Sequence, residues 1–181
     1  FTCMQDVIDA CNAGQEVRIS TVANTYPNYC IREMIAAAGV DIRCIETGST
    51  VGEQVIAAMD GQAELIQGQY IAVRDYVENG DFNVIGVFTD ELPAGMEDLQ
   101  TFPSQGINVV EPKYYCFWAS PDTDDAIVEA FSAALEDIQN DEALAELLAS
   151  YYAEVGYMTP AEMQTMEDNT VAQMKEYFAA N

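Results

Sequence analysis

Apolar residues recur along the chain with two alternating periods. Residues 3–13 place them at 4, 7, 8 and 11, a helical stripe that ends at Gly14. Residues 17–21 alternate and are rich in β-branched side chains, the pattern of a strand. A polar loop over 22–27 leads to a predicted helix over 28–38. Asn28 is its expected N-cap, positions 31, 34, 35 and 38 are its apolar face, and Gly39 closes it. Residues 40–45 alternate again and predict a short strand. A loop over 46–50, a helix over 51–59 and an Asp60-Gly61 turn follow. Residues 63–67 predict a strand, 70–78 a helix and 83–89 another strand. The last is almost wholly apolar, as a strand covered on both faces would be. The order over 1–89 is α-β-α-β-α-β-α-β, with short connections suited to a parallel sheet flanked by helices. No stretch repeats at a fixed period, which rules out a solenoid.

The pattern changes after residue 90. Pro93, Gly95, Pro103 and Gly106 mark a crossing segment. Residues 114–119 predict an aromatic strand. Residues 124–138 and 141–153 predict two amphipathic helices, and Gly156 breaks the second. Thr159, Pro160 and Glu162 carry the start signal of a last helix that runs to about 178.

Charge narrows the classes of partner. The 181 residues carry 31 Asp plus Glu, six Lys plus Arg and no His, for a net charge of −25. Such a surface repels phosphate backbones and anionic headgroups, so neither nucleic acid nor direct membrane insertion is expected. The absence of His removes His-dependent triads and the common mixed zinc sites. With half of its residues hydrophobic, the chain has material for a core and is not a disordered acidic tail. Residues 1–75 have net charge −6 and 76–181 have −19. The acidic excess reads as solvated surface, or the few Arg residues gather near an anion site. The cysteines at 3, 11, 30, 44 and 116 form no CxxC pair. They read as small buried apolar side chains, with one disulfide such as Cys30–Cys44 left open. The chain opens at Phe1 without an initiator Met, so its beginning reads as a cut, and no apolar run approaches the ~20 residues of a membrane span.

No nucleophile–base set, P-loop or dinucleotide fingerprint is present. Neither a cofactor nor a metal site is expected, and nothing argues for an enzyme. The informative places are the loops that follow strands, because ligands of open parallel sheets bind outside the strands' carboxyl ends. There helix N-termini favour a carboxylate without needing Lys or Arg. Three such loops occur: Thr21-Val22-Ala23-Asn24-Thr25, Thr47-Gly48-Ser49-Thr50 and Gln67-Gly68-Gln69. Their hydroxyl and amide residues either cap helices or line a ligand site. The candidate contacts are Thr21, Ala23, Asn24, Thr25, Gly48, Ser49, Thr50, Gln67 and Gln69. Trp118, in the aromatic segment with Tyr114, Tyr115 and Phe117, is either core packing or one wall of a cleft.

Several stretches, taken in order, resemble the solute-binding receptors of tripartite tricarboxylate transporters, the Bug-type extracytoplasmic proteins. Residues 17–49 resemble the family's small-residue loop, helix, Gly39-Val40-Asp41 step and following strand. Residues 51–69 resemble its helix, Gly61-Gln62 turn, strand and binding loop. Residues 76–91 and 114–157 resemble its later segments, including the Ser120-Pro121 step into a helix. The resemblance implies a type II periplasmic-binding-protein-like α/β lobe plus C-terminal helices, with most of the N-terminal lobe lacking. By that resemblance residues 1–105 form the second, ligand-binding lobe, and 106–181 return to the incomplete first lobe. It further implies capture of a small carboxylate or amino acid by hinge closure, presentation to membrane permease subunits, and an extracytoplasmic location. A ligand-sensing domain of a regulator shares the two-lobed design and is the alternative.

Overall fold

The computed structural model describes residues 1–111 and 113–180. The chain divides into two compact units, Phe1–Leu92 with Met96–Pro112, and Pro93–Gly95 with Lys113–Asn181. In the first unit the elements run α1 (Met4–Asn12), β1 (Arg18–Ser20), α2 (Tyr26–Ala38), β2 (Arg43–Ile45), α3 (Val51–Met59), β3 (Leu65–Ile66) and α4 (Tyr70–Glu78). The strands form one parallel sheet in the order β2-β1-β3. Helices α3 and α4 coincide with the spans expected from the sequence. Helix α2 begins two residues earlier than expected. Its N-cap is Thr25, whose hydroxyl accepts from the Asn28 amide, while Asn28 itself is buried inside the first turn. Gly39 closes α2 in the left-handed region, at φ 66°, where a side chain would be strained.

The core of this unit joins α1 (Met4, Val7), β1 (Ile19), α2 (Ile31, Met34) and the later residues Phe102, Ile107 and Val109. Each large aliphatic side chain removed from water stabilises the fold by about 1.5–3 kcal/mol. Gln105 ties the same region together through its side chain. Its Oε1 accepts from the Met4 amide at 2.8 Å, and its Nε2 donates to the Ile85 carbonyl at 2.9 Å. The first contact satisfies an amide at the N-terminus of α1, where the helix itself offers no acceptor.

Residues 83–89 do not form the expected strand. Among them only Val87 bridges to another residue, Thr101, in a single parallel contact. The apolar side chains of this segment are used differently: Ile85 and Phe88 pack on the core, and Phe88 lies 4.7 Å from Phe102, centroid to centroid. The hydrophobic run reflects packing under the 3-10 turn at Pro103–Gln105 rather than a ladder covered on two faces.

The second unit contains α5 (Asp125–Ile138), α6 (Glu142–Ala149) and α7 (Pro160–Ala180). The Asp124 and Asp141 side chains cap α5 and α6, and Thr159 with Glu162 forms reciprocal bonds at the start of α7. The expected aromatic strand over 114–119 is absent, and its aromatic side chains are exposed, with Cys116 half-buried. Tyr115 is 74% exposed, and Phe117 and Trp118 are each 71% exposed. Strand formation needs a neighbouring strand as well as an apolar sequence, and the described residues supply none here. All of the fully buried side chains among the described residues belong to the first unit. No helix among the described residues is long and apolar enough to cross a membrane.

Candidate ligand site at the carboxyl edge of the sheet

Register places the three loops at one edge. Ser20 of β1 pairs with Ile45 of β2 and with Ile66 of β3, so all three strands end at the same level. The loops beginning at Thr21, Glu46 and Gln67 therefore leave side by side, with that of β1 in the middle. Two further bonds hold the first two loops together. The Thr21 amide donates to the Ile45 carbonyl at 2.9 Å, and the Ser20 and Thr47 hydroxyls share a bond of 2.7 Å.

Within the first loop, Thr21 is buried and its hydroxyl accepts from Asn28 Nδ2 at 3.4 Å. Thr25 Oγ1 donates to the Val22 carbonyl at 2.6 Å while capping α2. Asn24, exposed, takes a positive φ of 60°, a conformation that Asn tolerates better than most residues. The Ala23 amide donates to Glu46 Oε1 at 2.8 Å.

In the second loop the expected open helix N-terminus is filled from within. Glu53 Oε2 accepts from the amides of Ser49 and Thr50 at 2.9 and 3.0 Å and from the Thr50 hydroxyl at 3.0 Å. The Glu53 amide in turn donates to Thr50 Oγ1, which completes a capping box. These bonds, the Thr50 amide's above all, hold the Glu53 carboxyl below the usual carboxylate range. Gln54 Nε2 reaches the Gly48 carbonyl at 3.5 Å. In the third loop Gln67 Oε1 is out of solvent with no hydrogen-bond partner among the described residues, and Gln69 is the N-cap residue of α4.

Structure thus brings Thr21, Ala23, Asn24, Thr25, Gly48, Ser49, Thr50, Gln67 and Gln69 to one sheet edge. Trp118 belongs to the other unit. The hydroxyls of Thr25 and Thr50 serve as caps, whichever other role they have. Sequence reasoning named neither Glu46 nor Glu53 as part of this edge. The Thr50-x-x-Glu53 spacing is the signal that identifies the second. Nothing local identifies the first, because its partner lies 23 residues away.

Arg18, Arg43 and Arg74 are each held by carboxylates outside the three loops. Arg18 and Arg43 begin β1 and β2, at the edge opposite the loops, and pair with Glu64 and Glu16. Arg74 pairs with Asp75 and Glu78 on α4. Behind the first loop, Tyr26 Oη donates to Glu111 Oε2 at 3.0 Å. Burial pushes the Tyr26 phenol well up, the neighbouring Cys30 thiol up to about 12, and the Glu111 carboxyl above its usual range. The five cysteines are free thiols, and of them only Cys30 is fully buried. The described residues hold no cluster of His, Cys, Asp and Glu that could bind a metal ion.

The chain is similar in fold to several solved structures. Rpa4515 from R. palustris, solved with adipate, matches with a TM-score of 0.82 and 15% identity, over 97% of this chain and 60% of that one. A structure described as a periplasmic transporter matches with a TM-score of 0.83 and 15% identity, over 99% and 60%. A TctC solute-binding protein from Polaromonas, solved without ligand, matches with a TM-score of 0.76 and 15% identity, over 100% and 62%. The chain therefore spans about 60% of the length of these structures. No curated protein shows a significant match in sequence. At such identities the solved structures establish the architecture, a periplasmic-binding-protein-like α/β fold. Kinship rests on a family model, TctC, described as the tripartite tricarboxylate transporter family receptor, which matches residues 2–180. With that match over nearly its whole length, the chain belongs to the tripartite tricarboxylate transporter receptor family.

Proposed function

We propose that this chain is the greater part of an extracytoplasmic solute-binding receptor that captures a small carboxylate and presents it to the permease subunits of a tripartite transporter. The observation that carries the reading is the common edge of the three loops, at the place where open parallel sheets bind ligands. Family membership supports it, as does adipate in the R. palustris relative of like fold. In this reading Asn24 and Ser49 hold the ligand by side-chain hydrogen bonds, with Thr21, Ala23, Gly48, Gln67 and Gln69 forming the floor. Thr25 and Thr50 fix the loops through their caps. Residues 1–105 act as the ligand-binding lobe. Residues 106–181, beyond the Ile107 and Val109 side chains that pack in the core with β1, return to a first lobe completed by further chain, and the ligand is enclosed as the lobes hinge together. The exposure of Tyr115, Phe117 and Trp118 supports this division, since such a surface calls for a cover.

The reading is tested by thermal shift and calorimetry of the full-length natural protein against mono-, di- and tricarboxylates and amino acids. Binding of at least one carboxylate is expected. Silence across the panel contradicts the reading.

A further inference from the structure

The charges around the three loops bear on which carboxylate fits. The only ionisable side chains in the segments 21–25, 46–53 and 67–69 are Glu46 and Glu53. Neither forms a salt bridge among the described residues, and Arg18 and Arg43 are paired at the opposite edge of the sheet. Both carboxylates sit on loop amides of the kind a bound anion would use: Glu46 on Ala23, Glu53 on Ser49 and Thr50. Glu53 is committed to its capping box. Glu46 is exposed, and its second oxygen, Oε2, accepts no hydrogen bond from the described residues.

Resting on the receptor reading above, we propose that Glu46 is a specificity-determining residue, selecting carboxylates that also carry an ammonium group over plain dicarboxylates. A ligand with two carboxylates and no donor meets the carboxylate of Glu46, which no salt bridge neutralises among the described residues. A ligand with an α-ammonium group offers it three N–H donors and a positive charge. A second carboxylate within about 4–5 Å of Glu46 is repelled, while an ammonium at that distance is attracted, by amounts that depend on how far water is excluded.

Two matched pairs isolate the ammonium group: L-glutamate with glutarate, and L-aspartate with succinate. Their affinities are measured by calorimetry on the full-length protein and on its Glu46→Gln variant, which keeps a hydrogen-bond acceptor for the Ala23 amide but removes the charge. The natural protein is expected to bind the ammonium-bearing member of at least one pair at least about fivefold more tightly. In Glu46→Gln that preference falls by a similar factor, chiefly through tighter binding of the plain diacid. A natural protein that prefers the plain diacid, or a preference unchanged in Glu46→Gln, overturns the role of Glu46 and leaves the receptor reading standing. If the natural protein and the variant bind neither these four nor any other carboxylate, both fall together.

Discussion

Glu111 is a carboxyl that the fold makes easier to protonate, because burial disfavours its charge by more than the bond from Tyr26 Oη favours it. Its folded pKa lies above the unfolded one, so the stability it lends is complete below the unfolded value and is lost as pH rises through the folded value. Glu111→Gln keeps an acceptor for Tyr26 and removes the charge. The variant is expected to melt at a higher temperature than the natural protein at pH 7.5, with the gain shrinking toward about pH 4. Equal melting temperatures at pH 7.5 contradict the burial argument. Glu53 has the opposite sign: its depressed carboxyl stabilises at neutral pH and loses that effect on acidification. At this scale the sequence was partly legible. The Thr159–Glu162 capping box could be read from its spacing. Bonds such as Ala23 to Glu46, or Tyr26 to Glu111 across 85 residues, depend on how the chain folds back and leave no local trace.

Among the elements, helices α3 and α4 matched their expected spans because their apolar spacing and flanking turns agree. The three strands were legible in kind but not in length; each pairs over two or three residues only. The segment 83–89 shows why an apolar run misleads. Its Gly86 lies against the buried Phe102 ring, and a Cβ there would come within 2.5 and 2.6 Å of ring carbons. Since Phe102 is 3% exposed and packed on Phe88, it has no room to give. Gly86→Ala is therefore expected to destabilise the protein by about 1–3 kcal/mol, the scale of overpacking in a dense core. Chemical denaturation checks this, and a loss under half a kilocalorie would show that the ring moves freely.

On the scale of the whole molecule, the fold class and the sheet's parallel character were legible because strand and helix patterns alternate with short connections. The fate of the aromatic segment was not, because pairing or packing depends on neighbours outside its own sequence. Trp118 is the only Trp, so its fluorescence reports whether the proposed first lobe covers it. Residues 1–181 alone are expected to show the red-shifted emission of a solvated indole, and the full-length protein a blue-shifted one. Identical, solvated emission in both would argue against a completed first lobe over this face. The central claim concerns the loops at the carboxyl edge, and calorimetry of the full-length protein with its best carboxylate, beside Asn24→Ala and Ser49→Ala, tests it most directly. Each substitution is expected to weaken binding by about 1–2 kcal/mol, the scale of a lost neutral hydrogen bond in a desolvated site. Affinity unchanged in both variants would place the ligand elsewhere in the molecule.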